Sequence, residues 1–175
     1  MSVTVTAYVV DWEIVTGIAA KGEGAGPIFE AFETEPDWLV YHDDEAFVDS
    51  AHAAIDLREA ADALAGKLDA AAHATLDLVA AVALGEGASP RELDAAIVEE
   101  MELAAAASPA TVRDLAARVA GLDHDAVAAA WVAAGSPAPQ GVLTSAGELA
   151  DYLRQFERLF IAAAAAGRGI LILTA

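Results

Sequence analysis

Potential metal ligands are concentrated in one stretch of the chain, YHDDEAFVDSAH, at residues 41–52. Its carboxylates and imidazoles are His42, Asp43, Asp44, Glu45, Asp49 and His52. Oxygen and imidazole donors suit zinc, manganese or iron. If the stretch is helical, one helix face carries Glu45, Asp49, His52, Asp56 and Glu59. One hypothesis for this chain is therefore a metal-dependent hydrolase that uses His42, Asp43 and His52.

The same residues also fit a solvated surface. Di-iron bundles take a Glu-x-x-His motif from each of two helices, whereas this stretch has one Asp-x-x-His and no second copy. Acidic residues in the first turn of a helix are favoured by the helix dipole without any metal. On a helix that follows His42, His52 lies roughly 12 Å further along the axis. We therefore favour an acidic surface with no metal and no cofactor.

Two aromatic residues, Trp38 and Tyr41, lie beside this acidic cluster, near the end of a predicted strand. An edge that combines aromatic rings with carboxylates can bind a cationic ligand or a basic protein surface. The alternative is a core tryptophan with a polar neighbour. Trp38 and Tyr41 are accordingly the candidate ligand-binding residues.

Two further patterns favour structure over chemistry. Asp69, His73 and Asp77 recur every four residues, and no nucleophile accompanies them, so we expect an exposed polar row. Residues 111–135 have the rhythm of a helix-turn-helix, but the second helix contains no Arg, Lys, Asn or Gln. It could neither pair with phosphates nor contact base edges, so an αα-hairpin is expected.

The charge of the chain restricts its partners. Nine basic residues against 28 acidic ones give a net charge of −19. Such a chain repels nucleic acid and anionic membranes and favours a basic protein partner; a homodimer is also compatible with the sequence. The chain contains no cysteine, and no window reaches the ~18 consecutive apolar residues of a membrane-spanning helix. These features predict a non-enzymatic cytoplasmic interaction module.

Periodicity predicts the elements that position these residues. Residues 2–10 alternate between apolar and polar side chains, as in a half-buried strand, and Asp11 is placed to cap a short helix. A second strand is expected in DWLVYH, residues 37–42. From Asp44 to Leu84 the pattern is helical for about forty residues, which exceeds the size of a small domain, so we expect a break near Gly66.

The second half of the chain is marked by helix caps. Capping boxes are predicted at Ser89–Glu92 and Ser145–Glu148, and further helix starts at Ser108 and Asp123. The last helix carries a continuous apolar stripe, Gly167 ends it, and GILILT follows as an all-apolar, central strand. The predicted fold is α+β and predominantly helical, with a sheet of about three strands. Residues 1–175 are expected to form one domain, with an Ala-rich helical subdomain around 86–135.

Both ends of the chain share a pattern with a known family. The stretches SVTVTAYVVDWEIVTGIAAKG and ELADYLRQFERLFIAAAAAGRGILIL resemble the corresponding parts of the YfbM-like family of bacterial proteins. They combine a strand that leads into a short helix with a long amphipathic helix, a glycine turn and a terminal strand. The resemblance covers about a quarter of the chain and implies a small α+β fold. It transfers no catalytic residue to this sequence.

Overall fold

The computed structural model describes residues 4–20, 39–41, 48–84, 103–135 and 141–174. The strands are β1 (Thr4–Val10), β2 (Leu39–Tyr41), β3 (Val48–Ser50), β4 (Leu103–Ala107) and β5 (Gly169–Thr174). The helices are α1 (Trp12–Ala19), α2 (Ala51–Ala63), α3 (Ala70–Ala83), α4 (Pro109–Ala120), α5 (His124–Ala133) and α6 (Ala146–Ala166). The predicted α+β, mostly helical fold is confirmed.

The strands form one antiparallel sheet in the order β2-β1-β5-β4, and β3 pairs with the first half of β1. The last strand is central, as predicted, because β5 pairs with β1 on one side and β4 on the other. Ile170 and Leu171 are both almost fully buried. Since consecutive residues of a strand point to opposite faces, both faces of the sheet are covered there.

Two strands were not expected from the sequence. The helical pattern predicted from Asp44 is wrong at its start, because Val48–Ser50 pairs with β1 and helix α2 begins at Ala51. Leu103–Ala107, within the Ala-rich segment, pairs with β5 although alanine favours helices. In both places the backbone hydrogen bonds of a neighbouring strand override the local preference.

The C-terminal helix follows its predicted pattern closely. Its apolar stripe is buried and consists of Leu149, Tyr152, Leu153, Phe156, Leu159, Phe160 and Ala163, together with Ala150. Gly167 ends the helix with a φ of 66°, a conformation that glycine adopts without a steric penalty. Helices α4 and α5 both pack against α6. The tail therefore completes the core.

Helices α2 and α3 form a hairpin, and the predicted break near Gly66 is confirmed. Helix α2 ends at Ala63, Gly66 has a φ of 73°, and α3 begins after Asp69. Asp69 accepts hydrogen bonds from the N–H groups of Ala71 and Ala72, so it is an N-cap. The capping box predicted at Ser89–Glu92 lies outside the described residues.

The start of β5 meets α1 at a tight corner. Asp11 caps α1 by accepting the N–H of Glu13 at 3.1 Å, and its carboxylate also pairs with Arg168. Gly169 leaves room for the ring of Trp12, since a Cβ atom there would overlap the ring and lie 3.0 Å from the carbonyl oxygen of Ala107. A side chain at this position would separate α1 from the sheet.

Candidate functional site

The sequence-predicted site residues fall into two groups. Trp38, His42 and Asp43 lie outside the described residues, as do Asp44 and Glu45. Tyr41 belongs to β2, where its backbone is opposite Val9 of β1. Of the stretch at residues 41–52, the structure therefore describes Tyr41 and positions 48–52, which contain Asp49 and His52.

The predicted helical face of the acidic stretch needs a correction. Asp49 lies in β3, opposite Val5, whereas His52 lies in the first turn of α2. The change from strand to helix between them removes the 3.6-residue periodicity that would align their side chains. Asp49 and His52 therefore do not share a helix face, although His52, Asp56 and Glu59 do belong to one helix.

The outer side of α2 combines acidic and apolar groups. We call His52, Ile55, Glu59 and Asp62 the α2 surface; they are exposed and recur at spacings of three or four residues, which places them on one face. Ile55 is 45% exposed. The opposite face is buried and carries Ala53, Ala54, Leu57, Ala60, Ala61 and Leu64. The helix thus packs through one side and presents a mixed surface on the other.

Asp56 lies at one edge of the α2 surface and holds a distant part of the chain. Its Oδ2 atom accepts the N–H of Val142 at 2.6 Å and the N–H of Leu143 at 2.8 Å. A Cβ atom on Gly141 would lie 2.9 Å from the same oxygen, so glycine permits this close approach. Leu143 is buried, whereas Val142 remains 47% exposed. The carboxylate fixes residues 141–143 beside α2.

The other edge of the α2 surface is joined to α3. The guanidinium of Arg58 pairs with the carboxylate of Asp77, and Nε2 of His73 lies 3.1 Å from the carbonyl oxygen of Ala61. His73 and Asp77 thus connect the two helices of the hairpin, whereas Asp69 caps α3. The polar row predicted from these three residues therefore makes three separate contacts. Polar contacts therefore hold α2 on both sides.

The basic side chains are largely occupied by acids of the same chain. Four of the seven arginine and lysine residues in the described ranges form ion pairs: Arg58, Arg118, Arg154 and Arg168. Hydrogen bonding to Asp125, and then to Asp151, raises the pKa of Arg154. Glu59 and Asp62 take part in none of the ion pairs within the described ranges. No basic side chain within those ranges therefore neutralises these two carboxylates.

The three histidines within the described residues lie in different surroundings. His52 is exposed, His73 contacts α2, and His124 is buried, with Nδ1 3.7 Å from a carboxylate oxygen of Glu157. Nε2 of His124 is buried without a hydrogen-bond partner. Across the part of the chain that the structure describes, no three histidine or carboxylate residues form a group that could hold a metal ion.

Sequence reasoning missed the role of Asp56. It placed this residue on an acidic helix face, but its carboxylate is engaged by backbone N–H groups 86 and 87 residues away. The only local signal is the turn-rich composition of the stretch GSPAPQGVLT at residues 135–144, which contains Gly141 and which we call the connector. Among the described helices, none is long and apolar enough to cross a membrane.

No protein-family model matches the chain, and no curated protein or solved structure is significantly similar to it.

Proposed function

We propose that this protein is a non-enzymatic, cytoplasmic interaction module that binds a basic protein partner through the α2 surface. One observation carries the proposal: Glu59 and Asp62 are exposed beside Ile55, and no basic side chain of the described ranges neutralises them. In a chain with a net charge of −19, these groups attract a cationic surface.

Electrostatic complementarity supports this choice of partner. Opposite charges steer association and suppress binding of like-charged partners. Nucleic acid and anionic membranes would be repelled by the same charge, and a second copy would bring another −19. The absence of cysteine fits the reducing cytoplasm. A basic protein is therefore the partner class that the composition favours most.

Charge reversal tests the location of binding. The probe is a synthetic twelve-residue peptide of alternating lysine and serine, and its affinity is measured by fluorescence anisotropy at low salt and at ~0.5 M sodium chloride. Glu59→Lys should weaken binding about fivefold or more, because it replaces an attractive charge by a repulsive one. Glu13→Lys is the matched control, since Glu13 is an exposed glutamate on α1.

Two results would count against the proposal. If the wild-type protein does not bind the peptide at low salt, an acidic interaction module is the wrong function. If Glu59→Lys and Glu13→Lys weaken binding equally, the attraction belongs to the whole charge of the protein and not to the α2 surface.

A further inference from the structure

Two exposed apolar side chains, Ile55 and Val142, lie near the line that joins His52 and Glu59 on the α2 surface. Residues of a helix are separated by about 100°, so Ile55 and Asp56 lie on either side of the line that joins His52 and Glu59. Asp56 holds Val142 at its own edge through the hydrogen bond to the Val142 N–H. Ile55 and Val142, at 45% and 47% exposure, therefore lie on opposite sides of that line.

The hydrogen bonds of Asp56 keep this arrangement fixed before any partner binds. Two charge-assisted bonds from consecutive N–H groups restrain the backbone of residues 142–143. Burial of Leu143 anchors the same segment in the core. A surface that is already ordered loses less conformational entropy on binding than a mobile loop does.

We propose that the α2 surface and Val142 form one docking surface for a cationic amphipathic segment of another protein. The lysine or arginine side chains of that segment pair with Glu59 and Asp62, and its apolar side chains pack on Ile55 and Val142. Asp56 is a positioning residue, since it acts through the connector. This inference rests on the proposed function and adds the partner's apolar face to its charge.

Charge complementarity commits the surface to this occupant. The exposed ionisable groups of the α2 surface are His52, Glu59 and Asp62, while Arg58 at its border is paired with Asp77. An apolar segment without cations would leave Glu59 and Asp62 desolvated and unpaired, which is unfavourable. A purely hydrophilic cation would leave Ile55 and Val142 uncovered.

Two peptides of equal charge separate these contributions. One alternates lysine with leucine and the other lysine with serine, each twelve residues long, and both are titrated by fluorescence anisotropy. We expect the leucine peptide to bind about tenfold more tightly, because it buries apolar area on the protein. Ile55→Ser and Val142→Ser should each remove a large part of that advantage. Ile14→Ser is the control, since Ile14 is 41% exposed on α1.

The role of Asp56 is tested by comparing it with a second carboxylate on the same helix. Asp56→Asn and Asp62→Asn each remove one negative charge, but Asp56 also holds the connector. We expect Asp56→Asn to reduce the leucine-peptide advantage and Asp62→Asn to lower the affinity for both peptides by the same factor. Thermal melting of each variant verifies that the protein remains folded. The Val142→Ser variant keeps the hydrogen bonds of Asp56, so it tests the apolar contact separately from the position of the connector.

The outcomes distinguish this inference from the proposed function. If neither peptide binds the wild type, the proposed function fails and the inference fails with it. If both bind equally tightly, or if Ile55→Ser has no more effect than Ile14→Ser, the charge-based function stands and the composite surface is wrong.

Discussion

Two regions of the molecule contain amphipathic helices but are positioned by different interactions. One is helix α6 with strand β5, and the other is the α2–α3 hairpin. Helix α6 buries a continuous apolar stripe and leads directly into the central strand. The hairpin also buries leucines, but polar side chains of α2 hold it as well. Asp56 accepts a backbone N–H of the connector, and Arg58 pairs with Asp77 of α3. Helix α6 and strand β5 are therefore held mainly by apolar packing and strand pairing, whereas the hairpin is also held by these polar contacts.

This difference explains why one region was easy to predict and the other was not. Apolar periodicity and helix caps are encoded within a few residues of each other. A carboxylate that accepts backbone N–H groups 86 residues away carries no such local signature.

Removal of the central strand should abolish folding. Deletion of residues 170–175 takes away most of β5, which pairs with both β1 and β4, and removes the buried side chains of Ile170 and Leu171. We expect no cooperative thermal transition by circular dichroism. A soluble truncated protein that melts cooperatively would show that helix α6 packs into the core without β5.

The addition of one methyl group at the start of β5 should destabilise the folded protein. Gly169→Ala places Cβ against the ring of Trp12 and near the Ala107 carbonyl oxygen, and such overpacking costs about 1–3 kcal/mol. Gly17→Ala is the control, because nothing lies within 4 Å of its added Cβ. That helical position should gain up to about 1 kcal/mol. Denaturant unfolding measures both, and equal effects would contradict the tight corner.

Loss of the Asp56 carboxylate should destabilise the protein moderately. Asp56→Ala leaves the N–H groups of Val142 and Leu143 without this acceptor, at a cost of about 1–2 kcal/mol in the free energy of unfolding. Asp62→Ala, on the same helix, should remain within about 0.5 kcal/mol of wild type. If both variants unfold at the same urea concentration, polar contacts do not position the hairpin.

The start of α6 should respond to acid. The hydrogen bonds from the Thr144 hydroxyl and then the Thr144 N–H lower the pKa of Glu148 below its ordinary value of 4.5. Because the folded-state pKa is the lower one, the carboxylate stabilises the fold above the unfolded-state value and loses this effect as the pH falls through the folded-state value. The difference in melting temperature between wild type and Glu148→Gln should therefore disappear in acid.

A matched variant verifies the cause at Glu148. Thr144→Ala removes the hydroxyl that is the largest contribution to the lowered pKa, so its melting temperature should converge with that of the wild type over the same acidic range. A difference that is constant from neutral to acidic pH would contradict the assignment.

The smallest effect is expected at His52. This side chain is exposed, so His52→Ala should change the free energy of unfolding by less than about 0.5 kcal/mol. Metal analysis after gel filtration provides the decisive comparison. Stoichiometric zinc or manganese in the wild type, lost from both His42→Ala and His52→Ala, would instead favour the metal-dependent hydrolase.

Much of the architecture could be read from local patterns. Asp11, Ser108, Asp123 and Ser145 all cap the helices that they were predicted to begin. At the capping box predicted for Ser145, the N–H of Glu148 donates to the Ser145 hydroxyl, and the Glu148 carboxylate also accepts the N–H of Thr144 at 2.6 Å. The contact with Thr144, one residue before the cap, is an addition that the capping-box pattern does not predict.

The candidate surface was only partly foreseeable. The acidic character of this surface follows from the composition, and the sequence predicts that His52, Asp56 and Glu59 lie on one helix. Their separation from Asp49 was not foreseeable, since β3 forms by pairing with β1, some forty-four residues earlier in the chain. The prediction of one domain with a helical subdomain around 86–135 stays a prediction, and that segment also contributes β4 to the sheet.

The sequence by itself determined the helix caps, the buried stripe of α6, the glycine end at Gly167 and the net negative charge. These depend on neighbours in the chain or on composition alone. Only the tertiary structure decided that Val48–Ser50 and Leu103–Ala107 are strands, and that Asp56 holds Val142 beside α2. The physical reason is that strand pairing and long-range hydrogen bonds are chosen by whichever donors and acceptors the folded chain brings together.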